Sequence, residues 1–128
     1  MNVIMSINPQ YVEKIFEGTK QYEYRKSIFK RDDINRVYIY ATYPICKIVG
    51  YFTIDNILCD TPVSVWEKTS EHGGITKQFY DEYYRGYKKA YAIGIKDVKQ
   101  YDECIEPKTI IDNFRPPQNF IYADVELD

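Results

Sequence analysis

Asn8-Pro9 and Gly18 bracket a segment with one comfortable conformation. Asparagine caps a helix start, and proline fits the first helical position, where its missing N–H costs nothing. Glycine closes a helix in the left-handed conformation. Between these signals Val12, Ile15 and Phe16 recur at helical spacing. Residues 2–7 alternate weakly, with Val3, Met5 and Ile7 on one face, and read as a strand. A second strand-like segment follows the glycine at once. The chain is therefore committed from its start to strand, short helix and strand, with a tight turn delivering Lys20 to the second strand's mouth.

The remaining pattern adds strands and two more helices. Residues 21–29 read as the second strand. Residues 36–42 alternate cleanly, Val37, Ile39 and Ala41 against Arg36, Tyr38, Tyr40 and Thr42, which predicts a half-buried strand with a polar side. Tyr43-Pro44 ends it. Residues 47–58 form a long β-branched run interrupted by Gly50, where a bulge or bend is expected. Thr61-Pro62 repeats the helix-opening device, with Val65 and Trp66 inward. Residues 71–74 read as a loop. Residues 76–85 read as an amphipathic helix stopped at Gly86, with an aromatic stripe that signals core or partner surface. A strand over residues 89–99 and a last extended segment near 120–125 complete the chain. This order predicts an α+β fold, a small β-barrel or strongly curled sheet with two to three helices packed around it. With no repeats and no linker, residues 1–128 are expected to form a single domain.

Charge limits the function classes. Seventeen basic and 19 acidic residues leave a net charge of −2, so any nucleic-acid site must be a local patch. Three scattered cysteines and the lone His72 argue against a metal site and for reduced thiols. No cofactor motif is present. No apolar run approaches the ~20 residues of a membrane span, and the apolar start is too short for a signal peptide. A cytoplasmic protein, monomeric or weakly dimeric, is expected. The 14 tyrosines fit strand-rich packing, with one or two rings free to stack bases.

The run Gly18-Thr19-Lys20-Gln21-Tyr22-Glu23-Tyr24-Arg25 concentrates the candidate chemistry. In a strand Glu23 and Arg25 share a face, and Tyr22 and Tyr24 share the other. Two readings follow. The charges line a polar pocket, or they form a solvated strand face with an ion pair worth about 0–1 kcal/mol.

Further residues carry a resemblance. Met5-Ser6-Ile7-Asn8-Pro9, the run Gly18-x-Lys20-x-x-Glu23-x-Arg25, and Tyr38-Ile39-Tyr40-Ala41-Thr42 followed by Pro44 resemble the ASCH domain. So do Thr61-Pro62-x-x-x-Trp66-Glu67, Gly86-x-x-x-Ala90-Tyr91-Ala92-Ile93 and Pro117-Gln118-x-Phe120. The resemblance implies a PUA-like barrel, a cleft between barrel and helices, and a role with RNA or nucleotides. Family members include coactivator segments, suspected RNA binders and small amidohydrolases acting on N4-acetylcytidine. The hydrolases' lysine falls on Lys20. Their threonine falls on position 23, here Glu23. Their glutamate falls at or beside Gly73, with Glu71 the nearest carboxylate. A carboxylate does not replace a hydroxyl as acyl acceptor, because its adduct would be an anhydride.

The expected ligand is RNA or a modified nucleoside or nucleotide. Lys20 and Arg25 would supply positive charge, Glu23 would pair with Arg25 and read polar donors, and a tyrosine would stack. Tyr40 either stacks a ring or packs, and Thr42 and Ser6 are further ligand candidates. If the protein is an enzyme, an amidohydrolase or ribonuclease, the catalytic candidates are Lys20, Glu23 and Glu71. A third reading is an interaction module using Tyr83, Tyr84 and Tyr87. Lys26, Lys30, Arg31 and Arg36 form a basic patch, either a solvated edge or a phosphate track.

Overall fold

The computed structural model describes residues 1–127. These residues form strands β1 (Asn2–Ile7), β2 (Tyr22–Arg25), β3 (Arg36–Ala41), β4 (Lys47–Asp60), β5 (Ala90–Ile105) and β6 (Phe120–Ala123). Helices α1 (Pro9–Glu17), α2 (Pro62–Thr69) and α3 (Lys77–Tyr83) separate them, with 3-10 turns at Ser70–His72 and Pro107–Thr109. The strands make one six-stranded sheet in the order β2-β5-β4-β3-β1-β6. β1 and β3 are parallel, and the other pairs are antiparallel. The sheet curls into a half-barrel, the α+β architecture the sequence predicts.

The opening unit folds as its caps dictate. Asn8 Oδ1 accepts from the Gln10 N–H at 3.1 Å, and Gly18 closes α1 at φ 86°. Val12 and Ile15 of α1 pack on Val3, Met5 and Ile7 of β1 and on Val37, Ile39 and Ala41 of β3. Gly50 lies where β4 changes register against both neighbours. A Cβ there would sit 2.1 Å from the Lys99 carbonyl oxygen, so only glycine lets the strands approach. Tyr80 and Tyr84 are buried beside Val65 of α2, and Trp66 packs on Tyr80 at 4.7 Å between centroids.

Three expectations change. β5 runs on to Ile105, past the expected end at 99, paired with β4 along the added length. β2 ends at Arg25 instead of running to 29, because the Tyr84 hydroxyl takes the Arg25 carbonyl at 2.9 Å and the chain leaves the ladder. β3 has no polar side. Its Tyr38 and Tyr40 face a second core with Ile4, Ile48, Phe114 and Ala123. The C-terminal segment supplies that cover: Tyr38 Oη donates to the Val125 carbonyl at 3.1 Å.

β2 and β6 end the strand order at opposite edges. Arg25 spans the gap between these edges. Its Nη2 donates to the Ser6 carbonyl of β1 at 2.7 Å, and its Nη1 to Asn119 Oδ1, just before β6, at 3.1 Å. Side chains thus link the curled sheet where no backbone ladder does.

Candidate functional site

β2 contributes Glu23 and Arg25 to a cavity of about 290 Å³, and the turn after α1 contributes Lys20. Asn8 and Tyr11 line it from the start of α1. Ile75, Phe79 and Tyr83 line it from α3 and the loop before it, and Gln118 from the segment leading into β6. Tyr11 and Phe79 meet edge to face at 6.0 Å between centroids.

Lys20 is not a surface lysine; only 2% of it is exposed. Its ammonium donates to the Gly73 carbonyl at 2.7 Å and lies 3.6 Å from Glu23 Oε1. It also lies 4.9 Å from the ring centre of Tyr24 and 5.4 Å from that of Tyr11. An ammonium has three donors, so this arrangement leaves it bonding capacity for a ligand. Burial lowers the Lys20 pKa, the Glu23 charge partly restores it, and Arg25 and Lys14 push it further down. Burial acts in the opposite sense on Tyr11 and Tyr83 and raises both phenols.

Glu23 is held from one side. Arg25 Nε and Nη2 donate to Glu23 Oε2 at 3.0 and 2.6 Å. Oε1 keeps an acceptor position toward Lys20 and the cavity. The buried trio therefore sums to one positive charge while Lys20 is protonated. Asn119 fixes the outer side of the fork, and its Nδ2 donates to Ser27 Oγ at 3.0 Å.

The glycine pair Gly73-Gly74 shapes the loop over Lys20. A Cβ on Gly73 would lie 2.1 Å from the Tyr24 hydroxyl, and one on Gly74 would lie 2.7 Å from Lys20 Cβ. Position 73 therefore has no room for a glutamate. Glu71 is exposed and outside the cavity lining.

The other expected residues lie elsewhere. Tyr40 packs against Phe114 at 5.3 Å on the far face of β3, where burial raises its pKa to about 12. Thr42 sits in the turn after β3 and bonds the Ile7 carbonyl through its N–H at 3.1 Å. Ser6 Oγ donates to the Pro117 carbonyl at 2.7 Å, so only the Ser6 carbonyl reaches the site, through Arg25. Of the basic patch, Arg31 pairs with Asp33 at 2.6 Å and Arg36 donates to the Leu127 carbonyl at 2.9 Å. Lys26 alone lies against the cavity wall, over Tyr83. The aromatic lining was missed as a lining. The helical stripe flagged Phe79 and Tyr83 as core or partner surface, and the Gly73-Gly74 pair was the other available signal.

Residues 1–113 match the DUF365 family, described as a domain of unknown function. An ASCH domain-containing ribonuclease from Zymomonas mobilis subsp. mobilis is 27% identical over 96% of this chain and 84% of its own. The crystal structure of ASCH from Zymomonas mobilis matches with a TM-score of 0.89 and 26% identity, over 95% of this chain and 87% of that one. The chain belongs to the DUF365 family. Its likeness to the ASCH proteins of Zymomonas mobilis supports kinship with the ASCH family. Its half-barrel and helices are the ASCH, PUA-like fold. Large ribosomal subunit protein uL22 of Ureaplasma parvum serovar 3 is 31% identical over 77% of this chain, which spans 32% of that protein's length. No helix among the described residues is long and apolar enough to cross a membrane.

Proposed function

We propose that the protein binds RNA and takes one unpaired nucleotide into the Lys20–Glu23–Arg25 cavity. The observation that carries this reading is a buried cation pair sharing one carboxylate at the base of an aromatic-walled cavity. The volume lies at the small end of the ~300–1,000 Å³ range of ligand pockets. Tyr11, Phe79 and Tyr83 offer faces or edges to a base, and base–aromatic stacking contributes about 1–3 kcal/mol per base. The Lys20 ammonium suits a phosphate or a base carbonyl. Glu23 Oε1 suits an exocyclic amino group. The relative named as a ribonuclease supports RNA as the ligand class.

A second reading, RNA cleavage, is favoured by the lowered Lys20 pKa and by that relative's name. A larger neutral fraction makes Lys20 a better proton acceptor near neutral pH. Lys20 would take the proton of a ribose 2′-hydroxyl. The oxygen would attack the adjacent phosphorus, the P–O5′ bond would break, and O5′ would leave with a proton from water. Products would be a 2′,3′-cyclic phosphate and a 5′-hydroxyl.

Binding of labelled single-stranded RNA by fluorescence anisotropy, with Lys20→Met beside the native protein, tests the first reading. Equal affinity in the two proteins would reject the cavity as the site. End-group analysis of the same RNA after incubation tests the second, and intact RNA would reject it.

A further inference from the structure

Lys26 is the residue after the cavity strand, and it extends the site outward. Its ammonium lies 4.4 Å from the ring centre of Tyr83 and 4.8 Å from that of Tyr87. Tyr83 also lines the cavity, so one ring borders both places. Tyr87 is 49% exposed. Among the described residues no carboxylate pairs with Lys26, whereas Arg31, Lys47, Lys68, Lys77 and Arg85 each have an acidic partner. A cation held only on aromatic faces is positioned but keeps its hydrogen-bond donors for an anion.

We propose that Lys26, Tyr83 and Tyr87 form a second nucleotide subsite, so that the ligand is a single RNA strand with a phosphate at Lys26 and its next base on Tyr87. This inference rests on the RNA reading of the cavity and specifies the strand beyond it. The subsite is short because the chain as a whole, at net charge −2, provides no extended basic field to hold a long phosphate backbone. Stacking requires an unpaired base, so a duplex is excluded from the ledge. The other two tyrosines of the aromatic run divide the work: Tyr84 is buried and structural, its hydroxyl on the Arg25 carbonyl, while Tyr87 remains outside.

The test uses a fluorescein-labelled single-stranded RNA oligomer, the same sequence as a duplex, and the mononucleotides AMP and CMP. The proteins are the native chain, Tyr87→Ala and Lys26→Gln, both changed at side chains outside the core. The native protein is expected to bind the single strand more tightly than either mononucleotide or the duplex. Tyr87→Ala is expected to weaken oligomer binding roughly 5- to 150-fold, the loss of one stacked base. Lys26→Gln is expected to flatten the dependence of log affinity on log salt by about 0.7, one phosphate contact on a single strand. Unchanged oligomer affinity and salt slope in both variants, with mononucleotides still bound, would overturn the ledge and leave the cavity reading standing. Failure of the native protein to bind either RNA or mononucleotides would reject both together.

Discussion

Arg25 donates through Nε and Nη2 to one oxygen of Glu23, two residues back on the same strand, at 3.0 and 2.6 Å. Such a pair on an open strand would be weak. Here both side chains are buried, and the same guanidinium also holds the Ser6 carbonyl and Asn119. The pair is thus both the floor of the cavity and the link between opposite edges of the sheet.

Removing one partner of a buried ion pair is costly because the other charge is stranded. Arg25→Ala is expected to lower stability by about 3–5 kcal/mol. The double variant Glu23→Gln with Arg25→Met is expected to recover part of that loss. Urea unfolding of both proteins measures the difference. A double variant no more stable than Arg25→Ala would show that the stranded Glu23 charge is not what makes the single change costly.

The Lys20 ammonium gives a stability effect with a defined sign. Its folded pKa lies below the ordinary lysine value because of burial. At pH below that folded value both states carry the proton, and the fold bears the full burial cost. As pH rises toward the ordinary value the folded state loses its proton first, so stability increases. Above about pH 10 the buried tyrosines Tyr24, Tyr80 and Tyr84, whose pKa values are raised by burial, reverse the trend. Lys20→Met keeps the buried stem and removes the charge. It is expected to lose the rise in unfolding free energy that the native protein shows as pH climbs toward the ordinary lysine value. Parallel pH slopes for the two proteins would contradict this account.

The legible parts of the fold were those governed by local rules. Asn8-Pro9, Gly18 and Gly50 each acted where the chain places them, because capping and close backbone approach depend on near neighbours. The face shared by Glu23 and Arg25 followed from strand periodicity alone. The rest depended on distant chain. Arg25 meets Ser6 and Asn119 across 19 and 94 residues. Tyr40 keeps both a stacking and a packing role in the sequence because alternation makes its side of β3 look polar; the packing role holds, since the cover comes from Phe114 and the C-terminal segment, which carries no periodic signal. Tyr11 and Phe79 belong to different helices, and only the fold brings their rings together.

N4-acetylcytidine is expected to survive incubation with this protein. The residue matching the hydrolases' threonine is Glu23, whose Oε2 already accepts two bonds from Arg25. No side chain stands at position 73 to act as the second carboxylate. Chromatography of the nucleoside, with a coupled assay for acetate, checks this. Steady release of cytidine that disappears in Lys20→Met would instead establish an amidohydrolase built on a different set of groups.

Gly73 offers the sharpest steric test of the site. Its backbone, at φ −82° and ψ −22°, is one that any residue adopts, so a substitution there carries no conformational strain. The obstacle is Tyr24, whose hydroxyl would lie 2.1 Å from an added Cβ while its ring carbon Cζ would lie at 3.0 Å. Tyr24 cannot step aside freely, because its hydroxyl bonds Thr69 Oγ1 at 2.8 Å and its ring packs on Tyr80. Gly73→Ala is therefore expected to cost about 1–3 kcal/mol, the usual range for overpacking. It should also displace the carbonyl that holds Lys20 and so weaken RNA binding. Tyr24→Phe removes the offending oxygen. In that background Gly73→Ala is expected to be milder, even though Tyr24→Phe alone loses the Thr69 bond. Denaturant midpoints for the two single variants and the double variant complete the cycle. Additive costs would mean that the Tyr24 hydroxyl is not what keeps position 73 a glycine.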